Sequence, residues 1–413
     1  MRIRLAGTIA ATALCAAAAT EAAAQTPPDD SLVLNQQLQL GDVFSHQTLN
    51  VVDAQEQVTV STSAQGNSAS GAVENGSITV QSDQDMRGDA VASTEMTMGG
   101  DTWGGVNATT QAQGNYLAVS AYDAELTVDA TQSNTGGLVS ATSRLGDDDA
   151  RLLGGAYINA SAISNTTALY GEGSFVEGSI DQSSSATVRA YNRIETQYIP
   201  AGAVIDAQAV VNAVQSTSGQ TSGQNLAMVQ TSTGDFVEAE SSANSGNAWD
   251  LAGRARASAN QAVLYNEGGS VVASARQDNT AFVRAAATTT AYDYGRAEAH
   301  ARGAANELSV GNNDIYVEID NSQFNSGGVD VTATFSGTNG YDVYVGADAV
   351  GNRVTGYSCS DCGGYLEASN SQSNGGDVSA TANTAVAGST RSVITGANAV
   401  GNSASFYVSR PSH

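Results

Sequence analysis

Few residues in this chain combine the type and the spacing that chemistry requires, and each candidate can be weighed separately. Cys359-Ser360-Asp361-Cys362 is a close pair of thiols. Two thiolates without a second pair or histidines are too few ligands for zinc. A redox C-x-x-C opens a helix, and nothing around this pair suggests one. In an oxidising compartment the pair would close a small loop disulfide; otherwise it stays a thiol pair. Carboxylates gather at Asp147-Asp148-Asp149 and around Asp314, Glu318 and Asp320. Calcium takes oxygen ligands of this kind, but neither an EF-hand loop nor a GGxGxD nonapeptide is present. A solvated acidic loop is the plainer reading, and calcium stays a weak alternative. His46, His300 and His413 are scattered, with no Ser-His-Asp grouping and no metal-ligand spacing. Paired carboxylates could in principle cleave a glycoside. β-helices that cut acidic sugars, however, also use Lys or Arg to neutralise the sugar, and lysine is absent here. No catalytic residue, cofactor site or metal ligand is assigned, and the expectation is a non-enzyme. Tyr170, Tyr265, Tyr357 and Tyr407 each lie five residues after an asparagine. Stacked phenol rings, flat and amphipathic, could grip sugars; an internal or edge aromatic stack is the structural alternative.

Composition narrows the partners. The net charge is −25, all 16 basic residues are arginine, and the chain repels nucleic acid and anionic membranes. Only 14% of the residues are charged, so Ser, Thr, Asn, Gln and Gly must dominate the surface. A disordered acidic tail would hold more Glu, Lys and Pro and less Val, Ala and Tyr. The chain therefore reads as ordered, with a core of small side chains. At the start, Arg2 and Arg4 precede a short apolar run ending in Ala22-Ala23-Ala24. That is the pattern of a secretory signal peptide cleaved after Ala24. Cys15 leaves with it.

What could position these groups is an internal repeat. Asparagine closes a run of small residues at Asn67, Asn115, Asn165, Asn212, Asn260, Asn306, Asn352 and Asn402, in steps of 48, 50, 47, 48, 46, 46 and 50. Glutamine follows the first seven at Gln84, Gln132, Gln182, Gln230, Gln277, Gln323 and Gln372, offset by 17, 17, 17, 18, 17, 17 and 20. The cysteine pair lies in the widened last interval. After each glutamine comes a turn cluster and then a strand of period two, as in Val139/Ala141, Val237/Ala239 and Val283/Ala285. Short β segments, Gly/Asn turns and a fixed period describe an elongated all-β solenoid of seven to eight repeats. Each ~48-residue unit is expected to make two coils of about 24 residues. Some 15 coils at the strand spacing would give a rod on the order of 70 Å. The amides then either stack into ladders along the rod, as in cross-β packing, or each asparagine ends a strand in a left-handed turn. The expected division is a signal peptide (1–24), an N-terminal capping segment outside the register (25–63), the solenoid (64–408) and a short tail (409–413).

The exported, lysine-free repeats with recurrent N-x-A and Q-x-N-x-G-x-V elements resemble the HfaD family of holdfast anchor proteins. ITGANAVGNSA and SNSQSNGGDVSATA also look like curli-type repeats, although the unit here is twice as long. The resemblance implies a cell-surface, outer-membrane-associated protein that helps anchor an adhesive polysaccharide, the holdfast. It also implies export through a curli-type outer-membrane pore, companion anchor proteins and homo-multimers. The alternatives of another class are a secreted carbohydrate-binding or carbohydrate-active β-helix, or a subunit of a biofilm-matrix fibre.

Overall fold

The repeated small and β-branched residues at every second position favour extended chain, with one side chain inward and the next outward. The computed structural model describes residues 30–146, 149–219, 221–314, 316–359 and 364–408. Nearly all of these are strand, and among them there is no helix. Each repeat lies directly on the next in parallel pairing. One column runs Val58, Val106, Ala156, Ala203, Leu251, Ala297, Val343, Val393. This is the all-β solenoid anticipated above.

The size of the coil differs from expectation. Residues pair with partners one whole repeat away, Asn67 with Asn115 and Gln84 with Gln132. A repeat is therefore one coil, not two, and Asn and Gln mark opposite sides of the same coil. Eight strand layers at the ~4.8 Å spacing give a stack roughly 40 Å high rather than 70 Å. The reason lies in the cross-section. From each asparagine the chain runs out to a tip and returns to the glutamine. Asn75 (φ 53°), Asp123 (φ 49°) and Gly173 (φ 61°) make that tip in left-handed conformation, which Asn, Asp and Gly tolerate best.

The resulting coil has two lobes and a waist. The larger lobe lies before the asparagine and after the glutamine, and is filled by alanine and valine: Ala108, Ala141, Ala160, Ala190 and Ala207 are buried. Val139, Val188, Val237, Val283, Val329 and Val378 stack in one register column. The smaller lobe, between the two amides, buries Leu117, Val119, Leu126 and Val128 in one repeat and Leu226, Leu264 and Ile319 in others. The two apolar cores are separate clusters, divided by the amides at the waist.

Residues expected to form a cap outside the register are themselves in it. Asp30–Gln39 pairs with residues 77–86 and Val43–Val51 with 90–98. They form a half coil, the return side only. At the other end Ser392–Val408 pairs with 342–358 and forms the outbound side only. Among the described residues both ends leave strand edges open: Val33 is 42% exposed and Val393 44%, although each aligns with a core residue, Val80 and Val343. The segments expected to be a signal peptide (1–24) and a tail (409–413) lie outside the described residues.

Candidate functional site

The waist carries the most ordered polar arrangement in the molecule. Eight asparagines form one ladder, each Nδ2 donating to the Oδ1 of the next at 2.7–2.9 Å, from Asn67→Asn115 to Asn352→Asn402. The second amide hydrogen goes to a backbone carbonyl across the waist, that of the residue after the glutamine. Examples are Asn115 to Ser133 O (2.8 Å) and Asn212 to Thr231 O (3.0 Å). The glutamines form a second ladder with the opposite sense. Gln372 donates to Gln323, Gln323 to Gln277, Gln277 to Gln230, Gln230 to Gln182, Gln182 to Gln132 and Gln132 to Gln84, at 2.7–2.9 Å. Each also donates to the carbonyl that follows the next asparagine, as Gln182 does to Ala213 O (3.0 Å) and Gln277 to Glu307 O (2.9 Å). Each ladder thus satisfies the carbonyls turned inward beside the other. Because the two run oppositely, their amide dipoles oppose each other. None of the eight asparagines has positive φ.

Two members of this waist carried no distinct sequence signal. Gln37 accepts from Gln84 (2.8 Å) and donates to Ser68 O (2.8 Å), but it sits among the amides of NQQLQ with no asparagine ahead of it. A third, shorter ladder, Asn279→Asn325→Asn374 (2.8 and 2.7 Å), stands two residues past the glutamines. Opposite it the position before each asparagine adjusts in size. A side chain at Gly114 would meet Asn134 Nδ2 at 2.7 Å, and one at Gly351 would meet Asn374 Oδ1 at 2.6 Å. Where the third position is Ser184, a serine fits opposite and the Ser164 and Ser184 hydroxyls bond at 2.9 Å.

The four tyrosines share one register column with Thr217 and Gly311 between them, but they do not form one stack. Tyr357 and Tyr407 are stacked, 5.9 Å apart and 4° from parallel. Gly311 separates Tyr265 from Tyr357, while Tyr170 meets Tyr122 instead at 5.7 Å and 50°. The Tyr170 hydroxyl donates to Glu172 (3.1 Å), which raises its pKa. A second pair, Tyr316 and Tyr365, stacks at 5.7 Å and 7°. The Tyr316 hydroxyl donates to Glu318 (2.7 Å), and that bond pushes its pKa up to about 12.

Other candidates are engaged or undescribed. Asp314 accepts from the backbone N–H of Gly269 (2.9 Å). Among the described residues no group of three or more His, Cys, Asp or Glu is arranged to hold a metal; Asp147 and Asp148 lie outside them. Cys359 is buried, and Cys362 lies outside the described residues.

A groove that the repeat pattern does not announce opens at the outer turn of the larger lobe, about 570 Å³ in volume, between Trp249, Tyr341, Tyr198 and the column Asn247, Asp293, Asn339. Its single sequence signal is Trp249, one of only two tryptophans.

Comparison with known proteins returns one family. The sequence matches HfaD, holdfast attachment protein D, over residues 52–328. No curated protein and no solved structure gave a match. The matched span exceeds half of the chain and covers the amide ladders from Asn67 to Gln323. This chain belongs to the HfaD family of holdfast attachment proteins.

Proposed function

We propose that this holdfast attachment protein works as a stiff, non-catalytic surface rod whose copies join head to tail through their half coils. The family match supports a role in holdfast attachment; a cell-surface location, assembly, the adhesive polysaccharide as partner, companion anchor proteins and a curli-type outer-membrane pore belong to this reading. The observation that carries it is the complementarity of the two ends. Among the described residues, Ser392–Val408 supplies the outbound side of a coil with no return side after it. Asp30–Gln39 and Val43–Val51 supply, among the same residues, the return side with no outbound side before it. Set end to end, the two halves complete one coil in the register of the rest.

The ladders match in the same sense. Asparagine donates toward the C-terminal end and glutamine toward the N-terminal end. At a joint Asn402 would donate to Asn67 of the next copy, and that copy's Gln37 would donate to Gln372. A head-to-head contact would mismatch both ladders. Such a joint is heterologous and does not close, so it propagates as a filament. Open parallel strand edges supply the backbone bonds. The net charge of −25 opposes association, so salt or divalent cations promote it.

Sedimentation velocity of the mature chain in rising salt tests this. The expected result is a series of oligomers that lengthens with concentration. Val33→Asp blocks one end and Val393→Asp the other; each variant alone stays monomeric, while their mixture forms dimers and stops there. A parent that remains monomeric at every salt concentration, or variants that polymerise like the parent, would overturn the reading.

A further inference from the structure

We infer that the outer-turn groove around Trp249 and Tyr341 is a binding site for a glycan without carboxylate groups. This deepens the anchor reading above and rests on it, since a holdfast attachment protein must hold what it attaches. Trp249 is 57% exposed and Tyr341 52%, so both rings are open to solvent. They lie two layers apart, with centroids 5.9 Å apart at 63°. Gly295 is what lets them meet. A side chain there would approach the Trp249 carbonyl to 2.4 Å and its ring to 2.9 Å, so the indole lies across the intervening layer. The floor is fixed as well: the ring of buried Tyr294 packs edge-on against Phe335 at 5.0 Å and 80°. Gly340 sits on that ring, where any side chain would come within 2.2 Å of it.

Beside the rings runs a polar column. Asn247, Asp293 and Asn339 are register partners on successive layers, all exposed, and Asn339 Nδ2 reaches Asp293 Oδ1 at 3.4 Å. Successive layers place these groups about 4.8 Å apart. A row of amide and carboxylate groups next to flat aromatic faces suits a ring that is apolar on its faces and hydroxylated at its edge. An extended peptide turns its backbone polar groups to one edge about every 6.7 Å, an interval that does not match this column. The groove volume of about 570 Å³ falls within the usual range for small-ligand sites.

Charge selects among glycans. Asp293 lies in the groove and the chain is strongly acidic. The neighbouring cation, Arg391, is already held by Asp342 and lies over the Tyr341 ring. Among the described residues that line the groove there is no cationic side chain to receive a sugar carboxylate, so neutral or amino-bearing sugars fit better than uronic-acid polymers.

The test is titration of the mature chain, in a Trp103→Phe background that leaves Trp249 as the sole tryptophan. Four hexasaccharides serve as probes: glucose, N-acetylglucosamine, glucosamine and galacturonic acid, all unbranched. The expected result is a change in Trp249 emission with at least one of the first three and none with the galacturonate. Calorimetry should then show Trp249→Ala weakening binding about tenfold or more, as expected for a truncated aromatic at the centre of a contact. Asn339→Ala should weaken it by a smaller factor. Both positions are exposed, and an unchanged melting temperature confirms folding. Binding by none of the four sugars, strongest binding by galacturonate, or full affinity in Trp249→Ala would each overturn the inference. Sedimentation of the same samples separates this from the head-to-tail reading, because Trp249 and Asn339 lie on layers beneath the terminal strand Ser392–Val408 and their variants should assemble like the parent.

Discussion

The waist and the lobes of this coil are both buried, yet they specify the fold in different ways. In the lobes one register column can hold different apolar residues: Val106, Ala156, Ala203, Leu251, Ala297 and Val343 occupy equivalent places in successive coils. At the waist every coil places Asn or Gln at the same point. Burial of apolar surface is non-directional and accepts any side chain of suitable volume. An amide ladder is directional, and each member needs the one above, the one below and a carbonyl across the waist. The lobes supply most of the burial and the waist supplies the register. A two-residue slip would keep the valine column apolar, since Ala141, Ala190, Ala239, Ala285 and Val331 stand two residues on, but would strand the amides.

The sharpest way to break the comparison is to exchange shape-matched residues in the two regions. Asn212→Leu keeps the branching and number of heavy atoms but orphans Asn165 Nδ2, Asn260 Oδ1 and Thr231 O. Each buried unpaired group costs about 1–3 kcal/mol, so the three together should cost the variant about 3–9 kcal/mol in a denaturant titration. Leu226→Met, an equally conservative change in the smaller lobe, should cost less than about 1.5 kcal/mol. If the two costs were alike, the waist would be no more demanding than the lobes.

A smaller effect sharpens the role of position along the ladder. Asn402 ends its ladder on a half coil and accepts one bond, from Asn352 (2.7 Å). Asn402→Leu in the monomer should cost about 1 kcal/mol or less, well below Asn212→Leu. At salt concentrations that promote assembly, the same variant should shorten the oligomers seen by sedimentation.

The smallest expected effect concerns pH. Asp206, at the larger lobe, has its pKa raised by desolvation, against the weaker opposing pull of Arg256 and Arg254. The folded state therefore binds its proton more readily than the unfolded chain. The stability this group contributes is full below the unfolded pKa and is lost as pH rises through the folded one. Asp206→Asn should raise the melting temperature slightly at neutral pH and leave it level with the parent at about pH 3. A variant less stable than the parent at neutral pH would show instead that the ion pair with Arg256 (3.8 Å) outweighs desolvation.

The sequence revealed the solenoid because amides recur in step, and a fixed period over eight repeats is a direct record of stacking. It misled about coil size for a physical reason. Spacing tells where Asn and Gln fall along the chain, but not whether Gln84 lies above Asn67 or across from it. Deciding that requires the tip turn at Asn75 and Asp123, and a single left-handed residue leaves little trace in composition. Gln37 and the Asn279–Asn325–Asn374 ladder were hidden by a surface already rich in amides. The Trp249 groove escaped periodic reading altogether, since Trp249, Gly295 and Tyr341 occupy related places in three coils with three different residues. Repetition exposes what every coil shares; a site assembled from the differences between coils leaves no period.

Side-chain amide hydrogen exchange, resolved by NMR on the mature monomer, probes the waist most directly. Opening a ladder in mid-rod requires separating coils, so the amide hydrogens of Asn115, Asn165, Asn212, Asn260 and Asn306 should exchange only with global unfolding. Asn402, at the open end, should exchange far sooner. Exchange of the central five at the rate of the exposed Asn107 would mean that water reaches the waist freely, and would contradict the ladder as the element that sets the register.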